Sequence, residues 1–437
     1  MLLNGLAFLY LTLVVGAGDG LDQAVASDYA ANLKPLFLHF HQNPELSFLE
    51  NKTAKRLAEE LRAAGFEVTE GVGKTGLVAI MKNGPGPLVM MRADMDGLPV
   101  EEKSGLTYAS KAKQKDLEGR EVSVMHACGH DVHMTSLVGT AHQMAKMKDQ
   151  WSGTLMLIGQ PAEERGSGAK AMMEDHIWDR FGKPDYALAF HVGAEIVAGK
   201  MVAVEGSPYS GVDTLEIIVP GIGAHGASPH RGKDPVVIGA EIVMALQTIV
   251  SREIAPKEPS VITVGSFHAG TKSNIISDQA KLQLTVRSDN QATREYLLAA
   301  IERVAVNIGR AAGLPEDKLP KVINTGESCP PTINDVALTQ RLKQAWRQQL
   351  GADIFDDNYK RQGMGAEDFP FFTTDPYIKS VYFQIGGTPQ ADFERERNGG
   401  EPVPSHHSPL FKIEPDLSIQ TGVKATVVAL LEILKKP

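Results

Sequence analysis

The densest group of chemically active side chains in the sequence is the stretch MHACGHDVH, residues 125–133. Cys128 and His130 are separated by one residue, too close for both to share one face of a regular helix, but Gly129 between them permits a tight turn. A thiolate and an imidazole aimed at one point suit zinc or another borderline divalent transition metal. The alternative for this stretch alone is an inert buried cysteine among ordinary histidines, because a short motif needs its structural context.

Further polar side chains stand where predicted apolar strands end. They are Asp96, Glu163, Glu164 and His191, which follow strands predicted at residues 88–92, 153–159 and 185–190. In sheets covered by helices on both faces, ligands gather at the carboxyl ends of the strands. We therefore expect these side chains to converge. One more donor, either His406 or His407, comes from residues 404–409.

These donors indicate a centre with more than one cation. Sulfur, nitrogen and oxygen donors in this number exceed what one tetrahedral zinc needs, whereas two metals bridged by a thiolate or a water would use them all. Such a pair activates a water and polarises an amide carbonyl. Glu163 would remain free to take the proton of the water while Glu164 binds metal. The alternative for this pair, solvated acids in the first turn of a helix, is disfavoured by its place after a buried strand.

The elements that must position these residues form two units. Up to residue 208, continuous apolar strands alternate with helices, which predicts an α/β fold with a mostly parallel, helix-covered catalytic sheet in residues 27–208. Residues 206–211 are rich in Gly, Pro and Ser and are typical of a hinge. Strands and two helices then alternate as in an α+β module, inserted at 209–320. Residues 321–437 return to the catalytic domain.

Composition narrows the class of protein. The 437 residues favour two domains, and 43% hydrophobic with 22% charged residues describe an ordinary globular protein. With 44 basic and 53 acidic residues, the net charge of −9 disfavours a nucleic-acid partner. Two cysteines give no disulfide framework.

The beginning of the chain predicts export. Residues 1–18 are apolar, and Ala24, Val25 and Ala26 offer the small residues of a cleavage site, so residues 1–26 are interpreted as a signal peptide. The run lacks a preceding positive charge, which leaves an uncleaved anchor or a mis-set start as alternatives. We expect a periplasmic or secreted protein with no membrane segment in its mature form; without export the protein would be cytoplasmic.

Seven segments in order carry a family resemblance. They are RADMDGLP (92–99), MHACGHDVH (125–133), GQPAEE (159–164), FHVG (190–193), GIGAHGASPH (221–230), GAEDFPFF (365–372) and HHSPLF (406–411). The chain resembles the amidohydrolase branch of the aminoacylase/carboxypeptidase-type metallopeptidases, which holds hippurate hydrolases and plant auxin-conjugate hydrolases. The likeness covers nearly all of the chain after residue 30.

The resemblance implies a role for each site residue. It implies two divalent metals (Zn, Mn, Co or Ni) held by five ligands, which are Cys128, His130, Glu164, His191 and His407. Glu163 would be the general base, and Asp96 matches a helper aspartate. The inserted module would be a lid that also forms a homodimer. Within it, His225 would stabilise the oxyanion in its own or the partner subunit's site, and Asn274 and Arg287 would hold the substrate's carbonyl or carboxylate. An ordinary surface charge remains the alternative for Arg287.

Three functions follow from this reading. The first is hydrolysis of the amide bond of a small N-acyl amino acid or a similar conjugate. A dipeptidase or carboxypeptidase would need the same centre and would differ only in the walls of the pocket. A metal-binding or ligand-binding protein without catalysis is the third alternative, against which the intact Glu163 and Asp96 count.

Overall fold

The computed structural model of the chain describes residues 17–436. Most of the apolar run at residues 1–18, which carries the signal-peptide prediction, therefore lies outside the described residues. The expected cleavage point after Ala26 falls inside the first described helix, Ala17–Asp28, in which Val25 is fully buried. Export of the protein stays a prediction from the sequence.

The described residues contain twelve α-helices and seventeen strands. The α-helices are α1 Ala17–Asp28, α2 Lys34–Gln42, α3 Asn51–Ala63, α4 His130–Lys146, α5 Gly168–Glu174, α6 Ile177–Phe181, α7 Pro235–Thr248, α8 Gln291–Ala311, α9 Val336–Leu350, α10 Pro370–Thr373, α11 Gln390–Arg397 and α12 Pro415–Leu434. The strands are β1 Glu67–Val72, β2 Gly76–Asn83, β3 Leu88–Asp94, β4 Lys113–Lys115, β5 Glu121–Ser123, β6 Gly153–Gln160, β7 Tyr186–Val197, β8 Met201–Val202, β9 Gly206–Tyr209, β10 Gly211–Pro220, β11 Ala224–His225, β12 Ser260–Ala269, β13 Ile275–Ile276, β14 Gln279–Ser288, β15 Lys321–Cys329, β16 Thr332–Asn334 and β17 Lys379–Thr388.

The larger sheet has seven strands in the order β1-β2-β6-β3-β7-β17-β8. The central strands β6, β3, β7 and β17 are parallel to one another, and antiparallel pairs flank them on both sides. Successive strand residues point to opposite faces, so Met91 belongs to the core that contains side chains of α3, α4, α9 and α12, whereas Met90 belongs to the core that contains side chains of α5, α6 and α10. The expected helix-covered, mostly parallel catalytic sheet is confirmed.

The helix that carries a predicted ligand is fixed against α12. Gly139 of α4 has no side chain where the two helices cross, and a Cβ atom there would stand 2.6 Å from the side chain of Val423. Gly422 of α12 likewise faces Ser136 of α4, where a Cβ would lie 2.9 Å from the hydroxyl. These glycines let the helices approach closely, and α4 is buried along most of its length.

The smaller sheet is antiparallel, in the order β12-β14-β10-β15, and helices α7 and α8 cover one of its faces. Burial alternates strictly along β10, as expected for a sheet with one face on a core. The sequence predicts the return to the larger domain at residue 321, whereas β15 pairs with β10 up to Cys329. The connection back comes after this strand, where β16 pairs with β9 of the expected hinge. The physical reason is that β15 satisfies the hydrogen bonds of an otherwise open edge of β10.

Candidate metal centre

Parallel strands bring the predicted donors to one edge of the larger sheet. Strand β3 ends at Asp94, two residues before Asp96, and β6 ends three residues before Glu163. His191 lies within β7, the neighbour of β3. Cys128 precedes α4, whose first residue is His130, and the intervening Gly129 takes the left-handed conformation with φ 87°. The chain can make this tight turn because glycine has no Cβ to clash.

The five predicted metal ligands form two groups that share Cys128. Donor atoms of Cys128, His130 and His191 lie within 4.8 Å of one another, as do those of Cys128, Glu164 and His407. The Cys128 Sγ is 3.3 Å from His191 Nε2, and Glu164 Oε2 is 3.3 Å from His407 Nε2. A thiolate common to both groups could therefore bridge two cations.

Several polar atoms of this cluster have no hydrogen-bond partner among residues 17–436, and bound cations would satisfy them. Within the described residues, His130 Nε2 and Glu164 Oε1 are buried without a hydrogen-bond partner, which is costly for polar atoms. Burial and then the charge of Glu164 raise the pKa of the Cys128 thiol, so a thiolate here needs a nearby positive charge. A mixed set of sulfur, nitrogen and oxygen donors suits a borderline divalent metal.

Asp96 supports this cluster from behind. Its backbone oxygen accepts a hydrogen bond from His130 Nδ1 at 2.7 Å, which leaves the other ring nitrogen free to bind metal. Its carboxylate accepts hydrogen bonds from the backbone amides of Glu163 and Glu164, both at 3.1 Å, and from the Ser47 hydroxyl at 2.6 Å. One residue therefore orients one imidazole and the turn that carries both glutamates.

Glu163 lies beside the cluster rather than in its two main ligand groups. Its Oε2 is 3.9 Å from His130 Nε2, and burial followed by the charge of Glu367 raises its pKa well above the ordinary value. The turn before it is unusual, because Ala162 is left-handed with φ 47°. The predicted ligand His407 has φ 66°, so two non-glycine residues adopt this costly conformation at the site.

A buried ionic network behind Glu163 is a feature that the sequence reasoning missed. The fully buried Arg92 contacts Asp94 Oδ2 at 2.5 Å, Glu367 Oε1 at 2.7 Å and Asp368 Oδ1 at 3.2 Å. Carboxylate oxygens of Glu367 and Asp368 lie within 4.8 Å of Glu163. The available signal was the pair of matching segments RADMDGLP and GAEDFPFF, in which these residues stood without an assigned role.

The three residues predicted in the smaller domain are not in the metal cluster. His225 and Asn274 are both exposed and lie together, since the amide of Gly226 donates to the Asn274 backbone oxygen at 2.8 Å. Arg287 is half-buried in β14, and its Nη1 donates to the Met364 backbone oxygen at 3.4 Å. Arg287 therefore contacts the segment that leads to Glu367, whereas His225 and Asn274 face solvent in the single chain.

Together, the mixed sheet and the two donor groups sharing a thiol, with a glutamate beside them, define a metal-dependent hydrolase. The sequence pattern of the peptidase family M20/M25/M40 matches residues 90–397. Thermostable carboxypeptidase 2 of Saccharolobus solfataricus is 40% identical over 382 residues, covering 86% of this chain and 89% of that protein. Hippurate hydrolase of Campylobacter jejuni is 37% identical over 333 residues, covering 76% of this chain and 82% of that protein.

A solved structure of the same family also resembles this chain in fold. The dinuclear metal-binding M20 peptidase of Bacillus subtilis superposes with a TM-score of 0.74 at 25% identity, covering 94% of this chain and 99% of that one. The chain belongs to the peptidase family M20/M25/M40, in agreement with the resemblance read from its motifs.

Proposed function

We propose that this protein hydrolyses the amide bond of small N-acyl amino acids or similar conjugates at a two-metal centre, with Glu163 as the general base. The observation that carries the proposal is the pair of donor groups sharing Cys128, with Glu163 at their side. The similarity to a hippurate hydrolase supports an acylated amino acid as the substrate class.

The site residues have separate roles in the proposed reaction. When bound at Cys128, His130, Glu164, His191 and His407, two cations would supply a water of lowered pKa and polarise the scissile carbonyl. Glu163 takes the proton from the attacking water and passes it to the leaving nitrogen, as one carboxylate can serve first as base and then as acid. Asp96 holds the backbone of Glu163 for this transfer.

The exposed His225 would act from a second copy of the chain. An imidazole that stabilises an oxyanion must reach the reacting carbonyl, and His225 faces solvent beside Asn274 in the single chain. In a homodimer, both residues would complete the neighbouring site. Arg287 lies near the segment of Glu367 and would bind the carboxylate of the substrate in its own chain.

The substitution Glu163→Gln tests the role of the base. The amide cannot accept the proton of the water, so kcat is expected to fall by about 10²–10⁴-fold, as is usual for loss of a general base. The bound metal, measured by elemental analysis, should remain at the wild-type level because the five ligands are intact. Wild-type turnover in this variant would overturn the assignment.

A carboxypeptidase activity is the second candidate, favoured by the similarity to thermostable carboxypeptidase 2. Acetyl, benzoyl and long-chain acyl amino acids should be compared with dipeptides and longer peptides, using apo-protein reloaded with zinc, manganese, cobalt or nickel. Faster cleavage of the acyl amino acids supports the proposed function, whereas faster release of carboxyl-terminal residues from peptides supports the alternative. The same series identifies the metal that gives the highest activity.

We propose that the dimer forms through the outer face of α7. The apolar stretch Pro235–Glu253 is only 33% buried in the single chain, and Val237 and Met244 are 53% and 71% exposed. Contiguous exposed apolar side chains of this kind commonly mark protein interfaces. Met244→Glu is expected to give a monomer in light scattering after gel filtration. Leu117→Glu, at an exposed apolar residue of the larger domain, is the control and should leave the mass unchanged.

A further inference from the structure

Glu50 is a fully buried acid at the N-cap position of α3. In the part of the chain that the structure describes, its side chain makes no capping hydrogen bond to this helix. The amides of Lys52 and Thr53 donate instead to Glu45 Oε2, at 2.8 and 2.7 Å. The usual structural role of a polar residue at this position, which is to cap the helix, is therefore filled by Glu45.

The Glu50 carboxylate reaches the turn that carries both glutamates of the metal centre. Its Oε1 accepts a hydrogen bond from the backbone amide of Ala162 at 2.8 Å, and its Oε2 accepts one from the Thr75 hydroxyl. Both donors are neutral, so they offset less of the cost of burying a carboxylate than a cation would. Because costly buried groups are expected at functional sites, the acid is better explained by the turn that it holds than by packing.

Glu50 and Asp96 together hold three successive backbone amides. The amide of Ala162 donates to Glu50. The amides of the next two residues, Glu163 and Glu164, donate to the two carboxylate oxygens of Asp96, both at 3.1 Å. Ala162 is left-handed, which is unfavourable for a residue with a Cβ, so the turn needs support from its surroundings. The two carboxylates supply that support on the side of the backbone amides.

The connection between β1 and β2 lies against both Glu50 and the turn. Thr75 belongs to this connection and donates to Glu50. Gly76 lets the chain approach the turn closely, because a Cβ there would stand 2.8 Å from Pro161 Cδ. Strand β2 also pairs with β6, the strand that leads into the turn. Glu50 is therefore fixed from one side while it holds Ala162 on the other.

We propose that Glu50 is a positioning residue, whose carboxyl oxygen holds the amide of Ala162 and thereby sets the direction of Glu163 and Glu164. The inference rests on the proposed two-metal hydrolase and adds a residue to the same site. Glu50 acts through the backbone of the turn. Loss of a partner that orients a metal ligand typically lowers metal affinity by about 10–100-fold. Displacement of a catalytic group by about 1 Å can slow the reaction by about 10²-fold.

Two conservative variants separate the reach of the side chain from its charge. Glu50→Gln keeps an acceptor oxygen at the same reach, and its amide can donate to the Thr75 oxygen, but it carries no charge. Glu50→Asp keeps the charge and shortens the side chain by one carbon–carbon bond, about 1.5 Å. Competition with a chromogenic chelator measures zinc affinity. This affinity is expected to stay within about threefold of wild type in Glu50→Gln and to fall about 10–100-fold in Glu50→Asp.

Kinetics with benzoyl-glycine at saturating zinc give a second measure. In Glu50→Asp, kcat is expected to fall by about 10–100-fold while KM stays near the wild-type value, because Glu163 is displaced and no substrate contact is removed. In Glu50→Gln, both constants should stay near wild type. A merely structural role of Glu50 would lower the melting temperature and leave the zinc affinity and kcat of the folded protein unchanged.

Asp175→Ala is the matched control. Asp175 Oδ2 accepts a hydrogen bond from the amide of Gly73, in the same connection between β1 and β2, at 3.0 Å. Among residues 17–436, no hydrogen bond joins the Asp175 side chain to residues 162–164. The control therefore disturbs the connection without releasing an amide of the turn. It should change the melting temperature at most and keep the wild-type zinc affinity and kcat.

Three results would overturn the inference. They are wild-type zinc affinity in Glu50→Asp, equal losses of zinc affinity in Glu50→Asp and Glu50→Gln, and an equal loss in Asp175→Ala. The zinc measurement also distinguishes this inference from the proposed function. If the wild type hydrolyses no N-acyl amino acid but Glu50→Asp alone binds zinc weakly, the proposed function fails and the positioning role stands. If the wild type hydrolyses benzoyl-glycine and Glu50→Asp binds zinc normally, the proposed function stands and the positioning role fails.

Discussion

At the scale of single residues, Asp96 contacts the proposed metal centre without being one of its five proposed ligands. Its backbone oxygen fixes the tautomer of His130, and its carboxylate holds the amides of Glu163 and Glu164. Partners of this kind determine the orientation and basicity of metal ligands. The residue is therefore a positioning residue, and its effect should be visible in metal affinity as well as in rate.

Asp96→Ala keeps the backbone oxygen that contacts His130 but removes the carboxylate that holds the amides of Glu163 and Glu164, and it is expected to weaken metal binding by about 10–100-fold, the usual cost of losing a group that orients a ligand. Competition with a chromogenic chelator measures this affinity directly. Ser47→Ala is the matched control, because it removes only one of the hydrogen bonds to the same carboxylate and should have a much smaller effect. Wild-type metal affinity in Asp96→Ala would show that the proposed ligands keep their orientation without the Asp96 carboxylate, which would contradict its positioning role.

His41 gives a pH dependence to stability. Its Nδ1 is 2.7 Å from Asp131 Oδ2 and its Nε2 is 3.2 Å from Glu102 Oε1. Burial alone would lower its pKa, but Asp131 and Glu102 raise the pKa to about 9 from the ordinary 6.5 of a histidine. A raised folded-state pKa stabilises the protein fully below pH 6.5, and this contribution is lost as pH rises through about 9.

His41→Asn should therefore reduce the free energy of unfolding by roughly 3 kcal/mol more at pH 6 than at pH 10. Urea denaturation at the two pH values measures the difference. His39→Asn, an exposed position on the same helix, should show little change between them. A loss in His41→Asn that is the same at both pH values would exclude the ion pairs as its cause.

The sequence predicts ligands more readily than it predicts their surroundings. The convergence of Cys128 and His191 could be predicted because few types of side chain bind metals and because strand ends of a parallel sheet meet at one edge. Arg92 could not be assigned, since its three carboxylate partners come from two segments more than 270 residues apart in the chain. The position of His225 relative to the metals depends on how the domains and subunits are arranged, which local patterns do not encode.

At the scale of elements, the crossing of α4 and α12 fixes the helix that begins with His130. Gly139→Val would place methyl groups against Val423 and Leu33, whose side chains are already within 2.7 Å of a Cβ at this position. Overpacking of this kind typically costs about 1–3 kcal/mol, so thermal or urea unfolding should show a loss in that range. Gly265→Ala, where no atom lies within 4 Å of the new Cβ, should have a much smaller effect. Equal losses would indicate that the helices can shift apart.

Long elements with clear periodicity were predictable, whereas edges and connections were not. The two helices expected in the inserted module correspond to α7 and α8. Strand β1 was missed because its exposed, alternating EVTEGV sequence carries little apolar signal. The expected hinge at 206–211 contains strand β9, since pairing with β16 orders a segment whose composition favours a loop.

At the scale of the whole molecule, the metals should stabilise the fold as well as catalyse. Their proposed ligands come from residues 128 to 407, and the buried carboxylates of Glu163 and Glu164 repel each other without a cation. A cation that binds only the folded chain raises its stability by mass action. Chelation is thus expected to lower the melting temperature, and re-addition of the activating metal should restore it. Scanning calorimetry checks this; an unchanged melting temperature after verified metal removal would contradict it.

The two sheets are joined by more than the paired segments β9 and β16. Arg361 of the larger domain contacts Asp289 at the end of β14 at 3.0 Å, and Ser210, between β9 and β10, donates to the same carboxylate at 2.6 Å. This ionic contact spans the connection between the domains. Arg361→Ala is expected to raise KM and to leave the melting temperature nearly unchanged. The substitution frees the smaller domain to move but removes no side chain from either hydrophobic core. Steady-state kinetics together with calorimetry test this.

The left-handed backbone at Ala162 and His407 sets a limit on how this enzyme can be improved. Each such residue costs on the order of 1–3 kcal/mol, which the surrounding fold must supply. Laboratory selection for heat resistance would accept glycine at either position, since glycine removes the penalty. Ala162→Gly would loosen the turn that aims Glu163, and His407→Gly would delete an imidazole that is proposed to bind metal. Substitutions at these two positions should therefore raise thermal stability at the expense of turnover. Ancestral or consensus redesign should leave both residues unchanged.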